Sequence, residues 1–262
     1  MVSEVRRMSH LSRTWDKLGQ RDRLWAILTW PDKQGNRWTV EEFLETGRAE
    51  ANRVLQHVNR LTPACRGGRA LDFGCGIGRI TQALAAHFSQ VIGVDVAPSM
   101  IEQATALNRI PDRCTFQVNR SVHLRCFATN SFDFVYSRLV LQHMPTEMAA
   151  GYLAEFVRVM TPGGLLVFQL PEDIAADTRE MFLDAAVHGS AFKRAIPRPI
   201  VRLWRAVKYR WRVARHEQME MYGMAKEVVL TLLRSHGGKV LEVRDDTAHG
   251  TEKAGFEYYV TK

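Results

Sequence analysis

The chain has 262 residues, of which 46% are hydrophobic and 24% charged. That length and apolar share suit one sizeable domain with elaborations, and no run approaches the roughly 18–20 apolar residues of a membrane span. The net charge of +8 is unevenly placed: residues 185–216 contain nine basic side chains and no acid, and the remainder is nearly neutral.

Residues 1–38 are polar and rich in tryptophan (Trp15, Trp25, Trp30, Trp38). Met1 to Gln20 has no apolar h-region, so no secretory signal is expected. Thr39-Val40-Glu41-Glu42 has the form of a capping box, with Thr39 as N-cap and Glu42 three residues on. A helix follows to about Arg60, with Phe43, Leu44, Ala51, Val54, Leu55 and Val58 at helical spacing; Pro63 ends it.

From there strand and helix signals alternate. The pattern predicts a strand at 69–73, a helix at 78–88, a strand at 90–95, a helix at 98–109 and strands at 114–118 and 132–137. A helix at 146–160 and a strand at 164–169 follow. A helix at 224–236, stopped by Gly237-Gly238, precedes two strands at 239–245 and 255–261 that read as an edge hairpin. The alternation implies an α/β fold: a Rossmann-like, mostly parallel sheet with helices on both faces.

The densest chemical signal is the turn after the first of these strands. Leu71-Asp72-Phe73-Gly74-Cys75-Gly76-Ile77-Gly78-Arg79 is a strand running through a glycine-punctuated turn into a helix, the geometry that brings a ligand close to backbone. Asp95 ends the next strand, 23 positions after Asp72. This matches the roughly 20-residue offset at which a carboxylate meets ribose hydroxyls. The same carboxylate also suits a cap for the helix beginning near Pro98.

Asp72-Phe73-Gly74-Cys75-Gly76-Ile77-Gly78 resembles the first motif of class I S-adenosylmethionine (SAM) dependent methyltransferases. Residues 93–100 (Gly-Val-Asp-Val-Ala-Pro-Ser-Met) resemble the second motif and Phe132 to Ser137 the fourth. Leu141-Gln142-His143 resembles the segment after that, and Val159 to Val167 the helix-turn-strand that follows. The resemblance runs in order over roughly residues 40–170. It implies a seven-stranded sheet, SAM as cofactor and S-adenosylhomocysteine as product. It also implies a helical cap at 1–62, a SAM-binding core at 63–171, a substrate-facing helical insertion at 172–222 and a sheet-completing unit at 223–262.

Carried onto this chain, the cofactor residues are Asp72, Phe73, Gly74, Cys75, Gly76, Gly78, Arg79, Asp95, Val96, Met100, Asn119, Ser137 and Arg138. Asn119-Arg120-Ser121 stands where family members often have an acid and a small residue. His143 is the candidate general base, its alternative being a structural ring before Pro145. Short segments at 25–28 and 141–145 look like bacterial natural-product and surface-polysaccharide methyltransferases. The implied reaction is methyl transfer to oxygen or nitrogen of a small-molecule, glycan or lipid-linked acceptor. The alternatives are an RNA methyltransferase using the basic 193–215 segment and a non-catalytic SAM-binding protein.

Residues 197–215 place Ile200, Leu203, Trp204, Val207 and Trp211 on one helical stripe and arginines opposite. This suits a lid helix, an interfacial membrane helix or, less favoured, a nucleic-acid face. Cys65, Cys75, Cys114 and Cys126 form no C-x-x-C pair, so no metal site is expected and reduced thiols in the cytoplasm are. Attachment at the inner membrane surface and the oligomeric state stay open.

Overall fold

The computed structural model describes residues 2–62, 67–172, 220–246 and 255–262. The expected insertion, with the 193–215 segment, lies almost wholly outside the described residues, as does Cys65.

Two helices precede the sheet. The first, α1 (Val2–Ile27), is broken at Asp22, whose φ of −153° and ψ of 80° are not helical. Asp22 serves both sides of the break. Its Oδ1 accepts from the Trp25 amide (3.4 Å), and its Oδ2 accepts from the amides of Gly35 (2.7 Å) and Asn36 (2.9 Å). Polarity hides this helix in the sequence, yet Met8, Leu11, Trp15 and Leu18 fall three and four residues apart, the spacing of one helical face.

The second helix, α2 (Val40–Leu61), starts at the expected capping box. The Glu42 amide donates to Thr39 Oγ1 (3.2 Å) and the Thr39 amide donates to Glu42 Oε2 (3.2 Å). Its buried face holds the six predicted apolar residues and adds Gly47, where a Cβ would lie 2.3 Å from the Arg79 carbonyl oxygen. Thr39→Ala is expected to cost about 1 kcal/mol, read as a lower urea midpoint with unchanged slope.

The sheet is built from β1 (Gly67–Phe73), β2 (Phe88–Asp95), β3 (Cys114–Val118), β4 (Phe132–Ser137), β5 (Met160–Pro171), β6 (Lys239–Asp246) and β7 (Gly255–Thr261). Its order is β3-β2-β1-β4-β5-β7-β6. The first five strands run parallel, and β7 is antiparallel to both β5 and β6. The hairpin is present, with β7 inserted between β5 and the edge strand β6.

The intervening helices are α3 (Arg79–Leu84), α4 (Pro98–Ala106), α5 (Thr146–Val159) and α6 (Lys226–Ser235). One apolar layer joins α5 and α6 residues such as Tyr152, Phe156, Val229 and Leu233 to Leu71, Val94, Val135 and Phe168. The other joins Val54 and Leu84 to Ala70, Phe134, Tyr136 and Val167. Alternate residues of β1 thus face opposite layers, as burial on both sides requires.

Several expected boundaries shift by a few residues. The helix predicted to reach residue 88 ends at Leu84, because Phe88 is needed in β2, where its ring stacks on Phe134 at 5.2 Å. The helix predicted to reach 109 ends at Ala106. The strand predicted at 164–169 runs from Met160 to Pro171, its glycine turn absorbed at Gly163 with φ of 76°.

Candidate active site

Strand order reverses at β1, which has β2 on one side and β4 on the other. In open parallel sheets a ligand crevice forms at the carboxyl ends of the strands at such a point. Here the crevice is a cavity with about 750 Å³ of space free of protein atoms, its open mouth included.

Its floor is the turn from β1 to α3. Gly74, Gly76 and Gly78 all have positive φ (77°, 53° and 82°), which only glycine adopts without strain. At Gly74 space is also short: a Cβ would fall 2.2 Å from a methyl of Val140. The Gly74 and Cys75 amides donate to the Val94 carbonyl (2.8 and 3.0 Å) and the Gly76 amide donates to Asp95 Oδ2 (2.9 Å). These three amides are therefore spent on β2, and the turn meets the cavity through the bare faces of Gly74 and Gly76.

Asp95 closes β2 and lines the cavity. Its Oδ1 accepts from the Ala97 amide (2.9 Å) and its Oδ2 from Gly76. The helix cap itself is Ala97. Burial raises the carboxyl above its ordinary pKa, against the pull of these amides. Each oxygen keeps a further lone pair for a hydroxyl donor.

Asp72 is 3% exposed and lies behind the wall, where Thr81 Oγ1 donates to its Oδ2 (2.6 Å). Burial pushes its pKa up to about 7, the Thr81 bond and Arg79 opposing. Because the folded value exceeds the unfolded one, the folded state holds more protons between about pH 4 and 7, and stability falls as pH rises through that window. In urea titrations Asp72→Asn is expected to gain midpoint over the parent chain at pH 8 and to gain less at pH 5. An equal gain at both values would contradict a carboxyl charging at neutrality.

Helix α1 roofs the cavity with Met8, Leu11, Trp15 and Ile27. It is pinned there by Ser12 Oγ donating to the Val96 carbonyl (2.9 Å) and by Asp16 Oδ1 accepting from the Ser99 amide (3.0 Å) and hydroxyl (2.7 Å). The turn from β4 to α5 supplies Arg138, Leu139, Val140, His143 and Met144, and α5 supplies Tyr152. Leu139 takes φ of 61°, a costly value for a branched side chain. Its amide is held by Gln169 Oε1 (3.3 Å).

Of the residues singled out from sequence, Phe73, Gly74, Gly76, Asp95, Val96, Met100, Asn119, Arg138 and His143 converge on this cavity. Asp72, Cys75, Gly78, Arg79 and Ser137 do not line it. Arg79 points to α2, where it pairs with Glu50 (2.7 Å). Cys75 is buried, and burial pushes its thiol up. Gly78 faces the ring of Phe116, which a Cβ there would meet at 2.6 Å. Ser137 is 1% exposed and lies inside the sheet. The roof residues Met8, Leu11, Trp15 and Ile27 were not singled out, nor were Leu139, Val140, Met144 and Tyr152. Of these, helical spacing in α1 signals Met8, Leu11 and Trp15, and Ile27 and Met144 fall in the short segments at 25–28 and 141–145.

Arg138 touches the cavity but spends its guanidinium behind it. Nε meets Glu50 (3.0 Å), one terminal nitrogen meets Asp246 (3.0 Å) and the other Glu257 (3.1 Å). Glu257 also takes a two-pronged contact from Arg53 (2.9 and 2.7 Å). Burial works against the charge of Glu50, but Arg79 and Arg138 outweigh it and hold the carboxyl below its ordinary value.

His143 is 7% exposed, with Trp15 edge-on at 5.2 Å. Its Nδ1 lies 3.1 Å from the Glu220 carbonyl oxygen, an acceptor only, so Nδ1 carries the proton. Its Nε2 lies 3.2 Å from Gln142 Nε2. The Gln142 amide is oriented by Gln169, whose Nε2 donates to Gln142 Oε1 (3.4 Å) and whose Oε1 faces the Leu139 amide. A backbone donor at one end and a backbone carbonyl at the other thus set the direction of the whole chain, and the Nε2 lone pair accepts from Gln142.

Residues 71–168, which hold the sheet centre and this cavity floor, match the family model described as "Methyltransferase domain". Over that stretch the chain is similar to methyltransferase domains. Trans-aconitate 2-methyltransferase of Methylobacterium radiotolerans is 33% identical over 129 residues, 46% of this chain and 44% of that protein. The 2-methyl-6-phytyl-1,4-hydroquinone methyltransferase of Synechocystis is 36% identical over 102 residues, 38% of this chain and 31% of that protein. The matched stretch thus spans less than half the length of either curated relative. Among solved structures, magnesium protoporphyrin IX methyltransferase of Synechocystis with bound S-adenosylhomocysteine superposes with a TM-score of 0.58. It is 15% identical and covers 92% of this chain and 97% of that one; at that identity the likeness carries the fold.

Proposed function

We propose that this protein transfers a methyl group from SAM to an oxygen or nitrogen of a small-molecule or lipid-linked acceptor, glycans included. The observation that carries the reading is Asp95 at the end of β2, its carboxylate in the wall of a roofed cavity directly beside Gly74 and Gly76. The donor set fits the cofactor. Asp95 would accept from the ribose hydroxyls, Val96 and Met100 would flank the base, and the glycine faces leave room for the amino-acid arm. Asp72, behind the wall, would act on the cofactor's ammonium through water, and more strongly above pH 7, where its carboxyl is charged. SAM brings an electrophilic sulfonium methyl, so the protein's share is binding, orientation and exclusion of water.

His143 enters this reading as a positioning residue. Its Nε2 lone pair is taken by Gln142 and its Nδ1 proton by Glu220, so a base role would first require this chain to break. His143→Gln is expected to lower kcat less than about tenfold and to leave the pH–rate profile unchanged in shape between about pH 6 and 8. Loss of one limb of the profile would restore the general-base assignment.

SAM with a labelled methyl group, incubated with the protein and lysate of a strain lacking it, tests the function. Label in lipid or small-molecule fractions is the expected outcome. Label in RNA, or none above a protein-free control, would overturn it. The 197–215 segment is proposed to bring the enzyme to membrane-held acceptors; flotation with anionic but not neutral vesicles is the expected result.

A further inference from the structure

We infer that the acceptor accommodated in this cavity has an uncharged, apolar body bearing a single nucleophilic group, and is neither a polycarboxylate nor a free sugar. The inference rests on the methyl-transfer reading and narrows its acceptor class.

Two independent observations carry it. The first is the surface left once Asp95, Val96, Met100 and the glycine turn are assigned to the cofactor. Its apolar part includes Met8, Leu11 and Trp15 from the roof and Leu139, Val140 and Met144 from the turn after β4. All six are apolar or aromatic, and methionines adapt to irregular apolar shapes. The second is the state of the polar groups in the same wall. Tyr152 donates its hydroxyl to the Ser121 carbonyl. Asn119 donates to the His123 carbonyl (3.3 Å) and accepts from the Ser121 amide (3.1 Å). His143 is bonded at both nitrogens.

Arg138 is the one lysine or arginine among the described lining residues, and it faces Glu50, Asp246 and Glu257. A carboxylate entering beside it would be a fourth anion against the same guanidinium. A sugar would bury several hydroxyls against partners already engaged, and each unpaired polar group costs free energy. An apolar body gains by the same transfer out of water.

The test uses the protein saturated with S-adenosylhomocysteine, whose own binding is measured first by calorimetry. N-phenyl-1-naphthylamine, an uncharged apolar fluorophore, is then titrated in, and trans-aconitate is titrated separately. The expected result is micromolar binding of the fluorophore and no heat from trans-aconitate at about 1 mM. Leu11→Glu and, separately, Met144→Glu are expected to weaken the fluorophore at least about tenfold while S-adenosylhomocysteine affinity stays within about twofold. Retained cofactor affinity reports that each variant is folded. Binding of trans-aconitate to the loaded protein, absence of fluorophore binding, or an unaltered fluorophore affinity in a folded Leu11→Glu variant would overturn the inference. Failure of S-adenosylhomocysteine itself to bind would overturn the cofactor reading instead.

Discussion

Asp95→Ala is expected to weaken S-adenosylhomocysteine binding by at least about 100-fold, since each hydrogen bond to a charged acceptor contributes roughly 1.5–3 kcal/mol and a ribose offers two hydroxyls. The carboxylate has a second duty within the fold, because the Gly76 and Ala97 amides both donate to it. The variant is therefore expected to lose stability as well. Asp95→Asn separates the two effects: its carbonyl oxygen keeps one of the amide bonds, while its NH2 group replaces an acceptor with a donor. The expected signature is a smaller stability loss with most of the affinity loss retained. Calorimetry and urea denaturation on both variants give the two readouts. Cofactor affinity unchanged in either variant would remove Asp95 from the binding site.

The second large effect is structural and sits behind the cavity. Arg138→Met is expected to destabilise the protein by about 3 kcal/mol at pH 7, since removing one member of a buried ion cluster leaves its partners uncompensated. The cost falls at the low end of the usual range because Glu257 keeps Arg53 and Glu50 keeps Arg79.

The sign of its pH dependence follows from the carboxylates. In the parent chain Glu50 and Glu257 are held below their ordinary values despite burial. They contribute stability that is present above the unfolded pKa and is lost as pH falls through the folded one. Without Arg138 one of the pulls that oppose burial is lost, so their pKa rises toward the ordinary value and protonation relieves the charge as pH falls. The gap in urea midpoint between parent and variant is thus expected to narrow from pH 7 to pH 5. A gap independent of pH would mean that Arg138 contributes by packing alone.

Several features were legible in the chain itself because their causes are local. Thr39 and Glu42 are three residues apart and cap α2 whatever packs above it. Gly74, Gly76 and Gly78 mark a turn because the required dihedrals exclude other residues. The strand and helix periods were enough to predict the parallel core. Boundaries failed where a distant contact decided them, as when Phe88 left the predicted helix to stack on Phe134.

Only the tertiary structure decided what surrounds that core. Arg79 and Arg138 look equally available beside the motifs, yet one faces α2 and the other is held by carboxylates from α2, β6 and β7, up to 119 residues away in sequence. The sequence offers His143 as a candidate base or a structural ring, and only the fold shows the Gln169–Gln142 pair that orients it. The roof from α1, with Trp15 against His143, turns an open crevice into an apolar cavity. Local spacing sets dihedrals and periodicity within a few residues of chain. The partners of a side chain depend on which distant elements fold against it, and that is where charge state, exposure and acceptor chemistry are determined.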